Sequence, residues 1–244
     1  AKNLQITFNK VTGYIESYKI NNKVLIDRPV ALQFWRAIVD NERVVKRYPQ
    51  IPKDWKNALS GSRVKEFKLS KLDAGQLQIA TAIDLKQVNS TAQINYTFFP
   101  QGEIKIELDL KMPPATKVRT SGHPYEHYDQ ISRPRRIGFE FKLPKEMQRM
   151  RWYGQGPFAT YIDRNYERVG IFSSTVDEAW VEYSKPQDNS NKSDVRWFEL
   201  TNPTGNGFRF EAISEPMSVT AKNYGIATME ASDYSFQMER SDCV

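Results

Sequence analysis

The sequence is poor in the residues that most often carry metal or nucleophilic chemistry. It has one cysteine, Cys243, and two histidines, His123 and His127, among 244 residues. A single cysteine gives neither a disulfide framework nor a cysteine metal site, and two histidines leave little scope for metal or triad chemistry. Both histidines lie in an irregular stretch, where such a pair is more often incidental than catalytic. We therefore expect no metal site and no cofactor in this chain.

Long apolar runs and a concentrated charge are also missing. No apolar segment approaches the roughly 18 residues of a membrane span, and no signal-peptide pattern stands at the start. We expect no membrane partner, and the compartment stays open between cytoplasm and periplasm. The net charge of +6 comes from dispersed residues, 35 basic against 29 acidic. The densest basic run, Arg133–Arg136, is short and has no nucleic-acid motif beside it, so we expect no nucleic-acid partner.

Short segments of alternating apolar and polar residues, separated by turn residues, fill most of the chain. The clearest are Val64–Leu72, Leu77–Leu85, Gln93–Phe99 and Glu103–Leu110, which follow one another at regular spacing. Such spacing with turn signals is typical of an all-β sandwich or barrel. Neither an internal repeat nor a Gly/Ser-rich linker interrupts the pattern, so we expect a single domain over residues 1–244.

One apolar run ends in acidic residues and opens a long irregular segment. The run Leu32–Glu42 finishes in Asp40, Asn41 and Glu42, and periodicity then fails from Arg43 to Gly61. We interpret the acids as the end of a strand and the irregular segment as a loop. Long loops on rigid β scaffolds often carry binding residues. We expect this loop to be mobile when the surface that orders it is absent.

A second segment, Arg151–Arg164, combines aromatic residues, two glycines and a charge pair. The residues Gly154-Gln155-Gly156-Pro157 predict a turn, because glycine allows positive φ or close backbone approach and proline fixes φ. Charges this close to aromatics usually sit in a hydrogen-bonded corner. We interpret the segment as a structural corner, in which Asp163 pairs with a buried or half-buried partner, either Arg164 or Arg196. The structural residues are Trp152, Gly154, Gly156, Pro157, Tyr161, Asp163, Arg164 and, further on, Trp197.

Three motifs together resemble one known family. They are FWRAIVDNE (Phe34–Glu42), WYGQGPFATYIDR (Trp152–Arg164) and PQDNSNKSDVRW (Pro186–Trp197), in the order and at about the spacing of that family. They are similar to the small-chain domain, the C-terminal β domain of glycoside hydrolase family 2 β-galactosidases. The opening FNKVTGYIESYKINNKVLI (Phe8–Ile26) is similar to that domain's first hairpins. The resemblance covers nearly the whole chain and implies a large antiparallel supersandwich of the galactose-mutarotase-like kind, apparently truncated near Val244.

The resemblance also implies a function. In that family the paired catalytic carboxylates lie in a separate (β/α)8 barrel, and this domain packs against the barrel domain or subunit and lends loops to its sugar pocket. The implied ligand is a β-galactoside or another carbohydrate, since aromatics stack on pyranose rings while Asp, Asn and Arg bond hydroxyls. The candidates for this edge of the site are Trp35, Arg36, Asp40, Asn41, Glu42, Asn189, Asn191, Asp194 and Arg196.

A second hypothesis is an autonomous aldose-1-epimerase of the mutarotase kind. Such an enzyme needs a general acid and base close to the ring oxygen and the anomeric hydroxyl. His123 and His127 are the candidate imidazoles. The accessory-domain hypothesis instead predicts that the chain alone hydrolyses no β-galactoside, because glycosidases need two carboxylates across the scissile bond. The strand pattern separately predicts that Trp35, Trp152 and Trp197 are largely buried, since each follows or begins a strand.

Overall fold

The computed structural model describes residues 3–40, 42, 54–114 and 133–244. Strands dominate these residues, and the strands pair in antiparallel ladders. The prediction of an all-β antiparallel fold is therefore confirmed. The chain forms two compact units, residues 1–35 with 45–141 and residues 36–44 with 142–244. The single-domain organisation stays a prediction.

The first unit contains three small sheets. Its strands are β1 (Leu4–Asn9), β2 (Tyr14–Ile20), β3 (Lys23–Ile26), β4 (Ala31–Gln33), β5 (Arg63–Lys71), β6 (Leu77–Leu85), β7 (Ser90–Phe98), β8 (Ile104–Lys111) and β9 (Gly138–Glu140). The sheets have the orders β1-β2-β3, β4-β9 and β5-β6-β7-β8. Short 3-10 helices span Asp54–Asn57, Asp73–Gly75 and Lys86–Val88. The four evenly spaced strands expected from the sequence are thus found as the β5–β8 meander, with boundaries shifted by a few residues.

The core of the first unit follows the alternation of its strands. In β6 and β7 every second side chain points inward, which buries Ile83, Ile94 and Tyr96 almost completely. The Phe8 ring packs edge-on against the Tyr96 ring, with centroids 5.0 Å apart. The Tyr96 hydroxyl donates to the carbonyl of Gly13 at 3.4 Å. Gly13 has a φ of +80°, a conformation that glycine adopts without strain.

The second unit contains a four-stranded sheet and a two-stranded ladder. Its strands are β10 (Arg149–Gly156), β11 (Arg168–Thr175), β12 (Lys192–Val195), β13 (Trp197–Thr201), β14 (Gly207–Glu211) and β15 (Met217–Val219). The sheet has the order β11-β10-β13-β14, and β12 pairs with β15. Short helices span Val176–Ala179 and Ile226–Ala231, and a 3-10 helix spans Ser235–Gln237. A capping box between Thr175 and Glu178 begins the first helix.

Strand β10 is one of the two inner strands of this sheet, and its length corrects the predicted turn. The strand continues through Gly154 and Gly156, and the chain leaves it only at Pro157, after a cis peptide bond. Neither glycine has positive φ. Their role is close approach: a Cβ at Gly154 would lie 2.9 Å from the Cα of Val195, and one at Gly156 would lie 2.7 Å from the Phe172 ring. Of the two roles proposed from the sequence, positive φ and close backbone approach, the structure supports close approach.

The run Leu32–Glu42 does not form the predicted long strand. Strand β4 ends at Gln33, and Asp40 and Glu42 have helical backbone. The acids therefore do not end a strand. Of the predicted loop from Arg43 to Gly61, residues 43–53 lie outside the described residues. Its aromatic anchor, Trp55, is 3% exposed and packs against Phe34 with ring centroids 5.2 Å apart.

Among the residues that the structure describes, no helix is both long enough and apolar enough to cross a membrane.

Candidate functional site

Arg36 and Glu42 form a forked ion pair that closes a short loop of chain. The two guanidinium NH groups donate to the two carboxylate oxygens, at 2.9 and 3.1 Å. Glu42 Oε2 also accepts from the backbone N–H of Val39 at 3.1 Å, and Arg36 donates to the carbonyl of Ala37 at 3.0 Å. Both side chains keep roughly a fifth of their surface exposed, 21% and 16%. A two-point pair of this kind holds its geometry more firmly than a single-point contact.

Asp40 lies inside this loop and is held by a distant residue, Gln187. The backbone N–H of Asp40 donates to Gln187 Oε1 at 3.1 Å, and Gln187 Nε2 donates to the Asp40 carboxylate at 3.2 Å. One amide side chain therefore fixes both the backbone and the carboxylate of Asp40. Asp40 and Glu42 are both half-buried, and hydrogen bonds within the unit hold the side chain of each. Asn41 lies outside the described residues.

The polar motif that follows residue 185 is buried, although the sequence indicated a polar loop. All seven residues of Pro186–Lys192 are buried. Asn189 donates to the carbonyls of Val181 and Gln187 at 3.3 and 3.4 Å, and its side-chain oxygen accepts from Ser190 at 2.5 Å. Buried polar groups are tolerated where such partners exist. The amide of Asn189 is therefore engaged inside the unit.

Asn191 joins three segments of the chain in the same way. Its Nδ2 donates to the carbonyl of Thr160 at 2.7 Å, and its Oδ1 accepts from the Thr220 hydroxyl at 3.1 Å. The backbone carbonyl of Asn191 accepts from the N–H of Thr160 at 2.8 Å, and the Thr160 hydroxyl accepts from the N–H of Ser193. These bonds hold the connection after β10 against the start of β12. The sugar-binding role of Asn189 and Asn191 stays a prediction.

Lys192 ends the buried motif and lies over Trp152. Its ammonium group is 4.8 Å from the centre of the indole ring and donates to the carbonyl of Pro157 at 2.8 Å. Burial lowers the pKa of Lys192 to about 8, against the opposing pull of the Glu167 charge. A cation–π contact with a fully buried tryptophan favours the charged form in the same environment. Lys192 therefore belongs to the internal framework of the motif.

Asp194 and Arg196 form a more open pair at the end of β12. The Arg196 guanidinium lies 2.8 Å from the Asp194 carboxylate and also donates to the Asp194 carbonyl at 2.5 Å. The same guanidinium lies over the Tyr153 ring, 5.3 Å from its centre. The two side chains are 31% and 38% exposed. The pair therefore combines an acid, a base and an aromatic ring at an accessible surface.

The predicted corner at Asp163 and Arg164 is wrong in its burial. Both residues are exposed, and Arg196, one of the two proposed partners of Asp163, pairs with Asp194 instead. The turn is closed by backbone bonds, with the N–H of Tyr161 donating to the carbonyl of Arg164 at 2.9 Å and the reverse bond at 3.0 Å. The chain reverses here without needing the charged side chains.

The three tryptophans named from the sequence differ in burial. Trp35 and Trp152 are 3% and 0% exposed, which confirms the prediction for both. Trp197 is half-buried, so it is more exposed than the other two. It lies on the outward side of β13, where the guanidinium groups of Arg209 and Arg151 lie 4.3 and 5.5 Å from its ring centre. Arginine stems, rather than a hydrophobic core, cover the indole.

Sequence reasoning missed the residues that organise the candidate site. Gln187 holds Asp40, and Thr160 and Thr220 hold Asn191, yet none was singled out. Gln187 lies within a motif that was recognised, so its presence there was a usable signal. Thr160 likewise lies within a recognised motif, Trp152–Arg164, whereas Thr220 lies outside all three motifs. No cluster of three or more histidine, cysteine or acidic side chains that could hold a metal ion occurs in the described parts of the chain.

Comparison with known proteins places these motifs in a family. The family model described as beta galactosidase small chain matches residues 1–244. The chain is 30% identical over 239 residues to a beta-galactosidase of Lactobacillus delbrueckii subsp. bulgaricus, covering 97% of this chain and 22% of that protein. It is 28% identical over 246 residues to a beta-galactosidase of Priestia megaterium, covering 99% of this chain and 22% of the relative. A beta-galactosidase of Clostridium acetobutylicum is 31% identical over 176 residues, which is 71% of this chain and 18% of that protein.

The match thus extends over essentially all of this chain, while the chain spans only about a fifth of the length of the curated relatives. The motif at Trp152, the polar motif after residue 185 and the segment at Asp40 all lie inside the matched range. On these grounds, the chain belongs to the beta-galactosidase small-chain family.

Proposed function

We propose that this chain is a carbohydrate-facing accessory component of a β-galactosidase, and that it is not catalytic by itself. It packs against a catalytic (β/α)8 barrel carried by another domain or subunit and contributes the segment Arg36–Glu42 to the edge of the sugar pocket. Family membership supports the hydrolase assignment. The observation that carries the accessory role is the way in which this segment is held.

The charged side chains of this segment are held by hydrogen bonds. The forked pair of Arg36 with Glu42 closes the loop, and Gln187 fixes both the backbone and the carboxylate of Asp40. Asp and Arg side chains bond sugar hydroxyls in the planar, two-point manner that these groups allow. A pre-ordered acid loses less conformational entropy on binding than a mobile one. Asp40 is therefore the residue of this segment that we assign to contact with carbohydrate.

Two acidic side chains of the motifs form ion pairs with arginines. Glu42 pairs with Arg36, and Asp194 pairs with Arg196. A glycosidase needs, besides a carboxylate, a general acid whose pKa is raised. The pKa of Asp177 is lowered by the hydrogen bond from Arg240, and that of Glu178 is lowered by hydrogen bonds from Thr175. For these two carboxyls the direction is opposite to the one that a general acid requires.

The first test is an activity measurement on the purified 244-residue chain. We expect no turnover of a nitrophenyl β-galactoside and no acceleration of galactose anomer interconversion. Hydrolysis would contradict the accessory role, and rapid anomer interconversion would identify an aldose-1-epimerase instead. His123 and His127, the imidazoles available to such an epimerase, lie outside the described residues.

The second test replaces Asp40 in the hydrolase that carries this chain. Asp40→Asn retains an acceptor for the Gln187 amide but removes the charge, and Asp40→Ala removes both. We expect KM to rise about tenfold in Asp40→Ala and less in Asp40→Asn, because a charged hydrogen bond to a hydroxyl is worth roughly 1.5–3 kcal/mol. Asp109→Asn, an exposed acid in β8, is the matched control. Unchanged KM in both Asp40 variants would remove this segment from the sugar site.

A further inference from the structure

The four-stranded sheet of the second unit has one face that is buried and one that is not. Inward-facing Met150 and Trp152 of β10 are 3% and 0% exposed. On the opposite face, Tyr153 of β10 is 38% exposed, and Val169 and Ile171 of β11 are 45% and 57% exposed. An antiparallel sheet commonly presents polar residues to water on its second face. Here that face carries large apolar side chains.

Three of these exposed side chains share one face of the β10–β11 ladder. Tyr153 lies directly opposite Ile171 in the β10–β11 ladder, and the next outward position pairs Gln155 with Val169. The connection between these strands adds Ile162 and Tyr166, which are 96% and 92% exposed. Gln155 Nε2 donates to the carbonyl of Asn165 at 3.4 Å, which ties the connection to the end of the same face. We call Tyr153, Val169, Ile171, Ile162 and Tyr166 the apolar strip.

Arginine side chains lie on aromatic rings beside the apolar strip. Arg196 lies over Tyr153, and Arg209 and Arg151 lie against Trp197. A cavity of about 440 Å³ opens on this face beside Arg151 and Ser173. Tryptophan, tyrosine and arginine are the residues most enriched among those that carry the energy of protein interfaces. An exposed apolar region of this composition marks an interaction site more often than a solvated surface.

Strand β11 is also an unprotected edge of the sheet. Within the described residues it pairs with β10 and has no partner strand on its other side. Natural edge strands usually carry lysine, proline or a bulge that blocks pairing. The sequence of β11, RVGIFSST, has a charged residue only at its first position, and its ladder with β10 runs through all eight residues without a bulge. Both the face and the edge of β11 therefore lack the features that suit exposure to water.

We propose that the apolar strip is the docking surface for the larger component of the β-galactosidase, on a region of that component with an apolar centre and an acidic rim. This inference rests on the proposed function. The relatives of this chain are about five times its length, so a β-galactosidase of their kind contains a large component to fill the role. Charge selects this partner over a second copy of the chain. Every charged residue in β10 and β11 is an arginine, namely Arg149, Arg151 and Arg168. Two copies meeting through β10 and β11 would oppose these arginines, which is costly at an interface, and the acids on the same face, Glu199 and Glu211, are already paired with Arg151 and Arg209.

The test is the accessibility of engineered cysteines in the assembled hydrolase. Ile171→Cys lies in the strand and Tyr166→Cys lies in the connection, so the second variant leaves the ladder of β11 untouched. Val11→Cys is the matched control, because Val11 is 81% exposed and lies between β1 and β2 in the other unit. Maleimide labelling of each site is followed by mass spectrometry, first in the 244-residue chain alone and then in the assembly.

We expect labelling at positions 171 and 166 to be at least about tenfold slower in the assembly than in the chain alone, since an interface excludes water from its centre. Labelling at position 11 should change by less than about twofold. Equal labelling of all three sites in the assembly would overturn the docking surface while leaving the proposed function intact. Failure of the chain to co-migrate with the larger component on size exclusion would overturn both. Slow labelling in the chain alone that speeds up on dilution would show that a second copy covers the strip, and would overturn the choice of partner.

Discussion

Two segments of the second unit reverse the usual relation between polarity and burial. Pro186–Lys192, with the sequence PQDNSNK, is polar and entirely buried. Ile162–Tyr166, with the sequence IDRNY, begins and ends in large apolar residues and is entirely exposed. Both segments contain an aspartate and an asparagine, so the presence of these polar residues does not distinguish them.

The difference lies in the partners that each segment finds. The buried segment is surrounded by groups that satisfy its amides: the carbonyls of Val181 and Thr160 and the hydroxyl of Thr220. A polar side chain with such partners loses little on leaving water. The exposed segment closes its own turn through backbone bonds, which leaves its side chains without a structural task inside the unit. Polar residues can thus form an internal framework, while large apolar residues such as Ile162 and Tyr166 remain at the surface.

Replacement of Asn191 in the buried segment should lower the stability of the protein more than any other change considered. Asn191→Ala leaves the Thr160 carbonyl and the Thr220 hydroxyl without their buried partner. We expect a loss of about 2–4 kcal/mol in the free energy of unfolding, since each orphaned buried group costs roughly 1–3 kcal/mol. Urea denaturation measures it. Asn165→Ala, at an exposed position of the connection, is the matched control and should change stability by less than about 0.5 kcal/mol. Equal effects in the two variants would mean that burial does not separate the segments.

The second prediction compares the coupling energy of the half-buried Arg36–Glu42 pair with that of a more exposed pair. We expect a double-mutant cycle with Arg36→Ala and Glu42→Ala to give a coupling energy of about 1–2 kcal/mol, because the pair is forked and mostly shielded from water. The exposed pair of Lys105 and Glu107 in β8 serves as the comparison and should give less than about 1 kcal/mol. Coupling no larger in the first pair than in the second would contradict the rigid segment at Asp40.

Lys192 should make the stability of the buried segment depend on pH. The pKa of Lys192 is about 8 in the folded chain, below its ordinary value of 10.5. Below pH 8 the side chain is charged in both states, and the folded chain bears the penalty of burying that charge. Between pH 8 and 10.5 the unfolded chain binds more protons, so stability rises with pH. The Tm of the protein, measured against that of Lys192→Met, should therefore rise by a few degrees over this range. A constant difference would show that the Trp152 ring keeps the lysine charged.

The smallest effect is expected in the exposed segment. Asp163→Ala should change the free energy of unfolding by less than about 0.5 kcal/mol, since Asp163 is exposed and backbone bonds close its turn. Ile162→Ser should behave in the same way in the chain alone. A loss of 1 kcal/mol or more in thermal or urea denaturation of Asp163→Ala would restore the charged corner that the sequence predicted.

The sequence predicts the strands better than it predicts their ends or the burial of the loops. The β5–β8 meander is recognisable because alternation and turn residues are local signals, and each strand pairs with its neighbours in sequence. The turn expected at Gly154 fails for a different reason. A glycine is needed there because Val195 approaches, and this contact is formed by residues distant in the chain. Local sequence cannot distinguish that requirement from a turn.

The candidate site shows the same difference between local signals, which the sequence contains, and long-range contacts, which it does not. Its motifs were found because they resemble a family, but their roles depend on contacts between different motifs, and with one residue outside them, that the linear sequence does not show. Asp40 depends on Gln187, and the burial of Asn191 depends on Thr160 and Thr220. Trp197 is half-buried because two arginines cover it, although tryptophans at strand ends are usually core residues. The sequence thus identifies the segments, and the three-dimensional arrangement determines which are framework and which are surface.

The two four-stranded sheets also differ in how far the chain must travel to complete them. In β5–β8 each strand meets the next across a connection of a few residues. The β6–β7 and β7–β8 ladders run in unbroken register, and the β5–β6 ladder has one shift, between Val64 and Glu66. In the other sheet, β10 must meet β13 after the intervening chain has passed through β11 and β12. Closing a short loop loses less entropy, and local pairing correlates with fast folding. The meander is therefore the region in which we expect folding to begin, so the first protected backbone amides to appear during refolding should be those of β6 and β7.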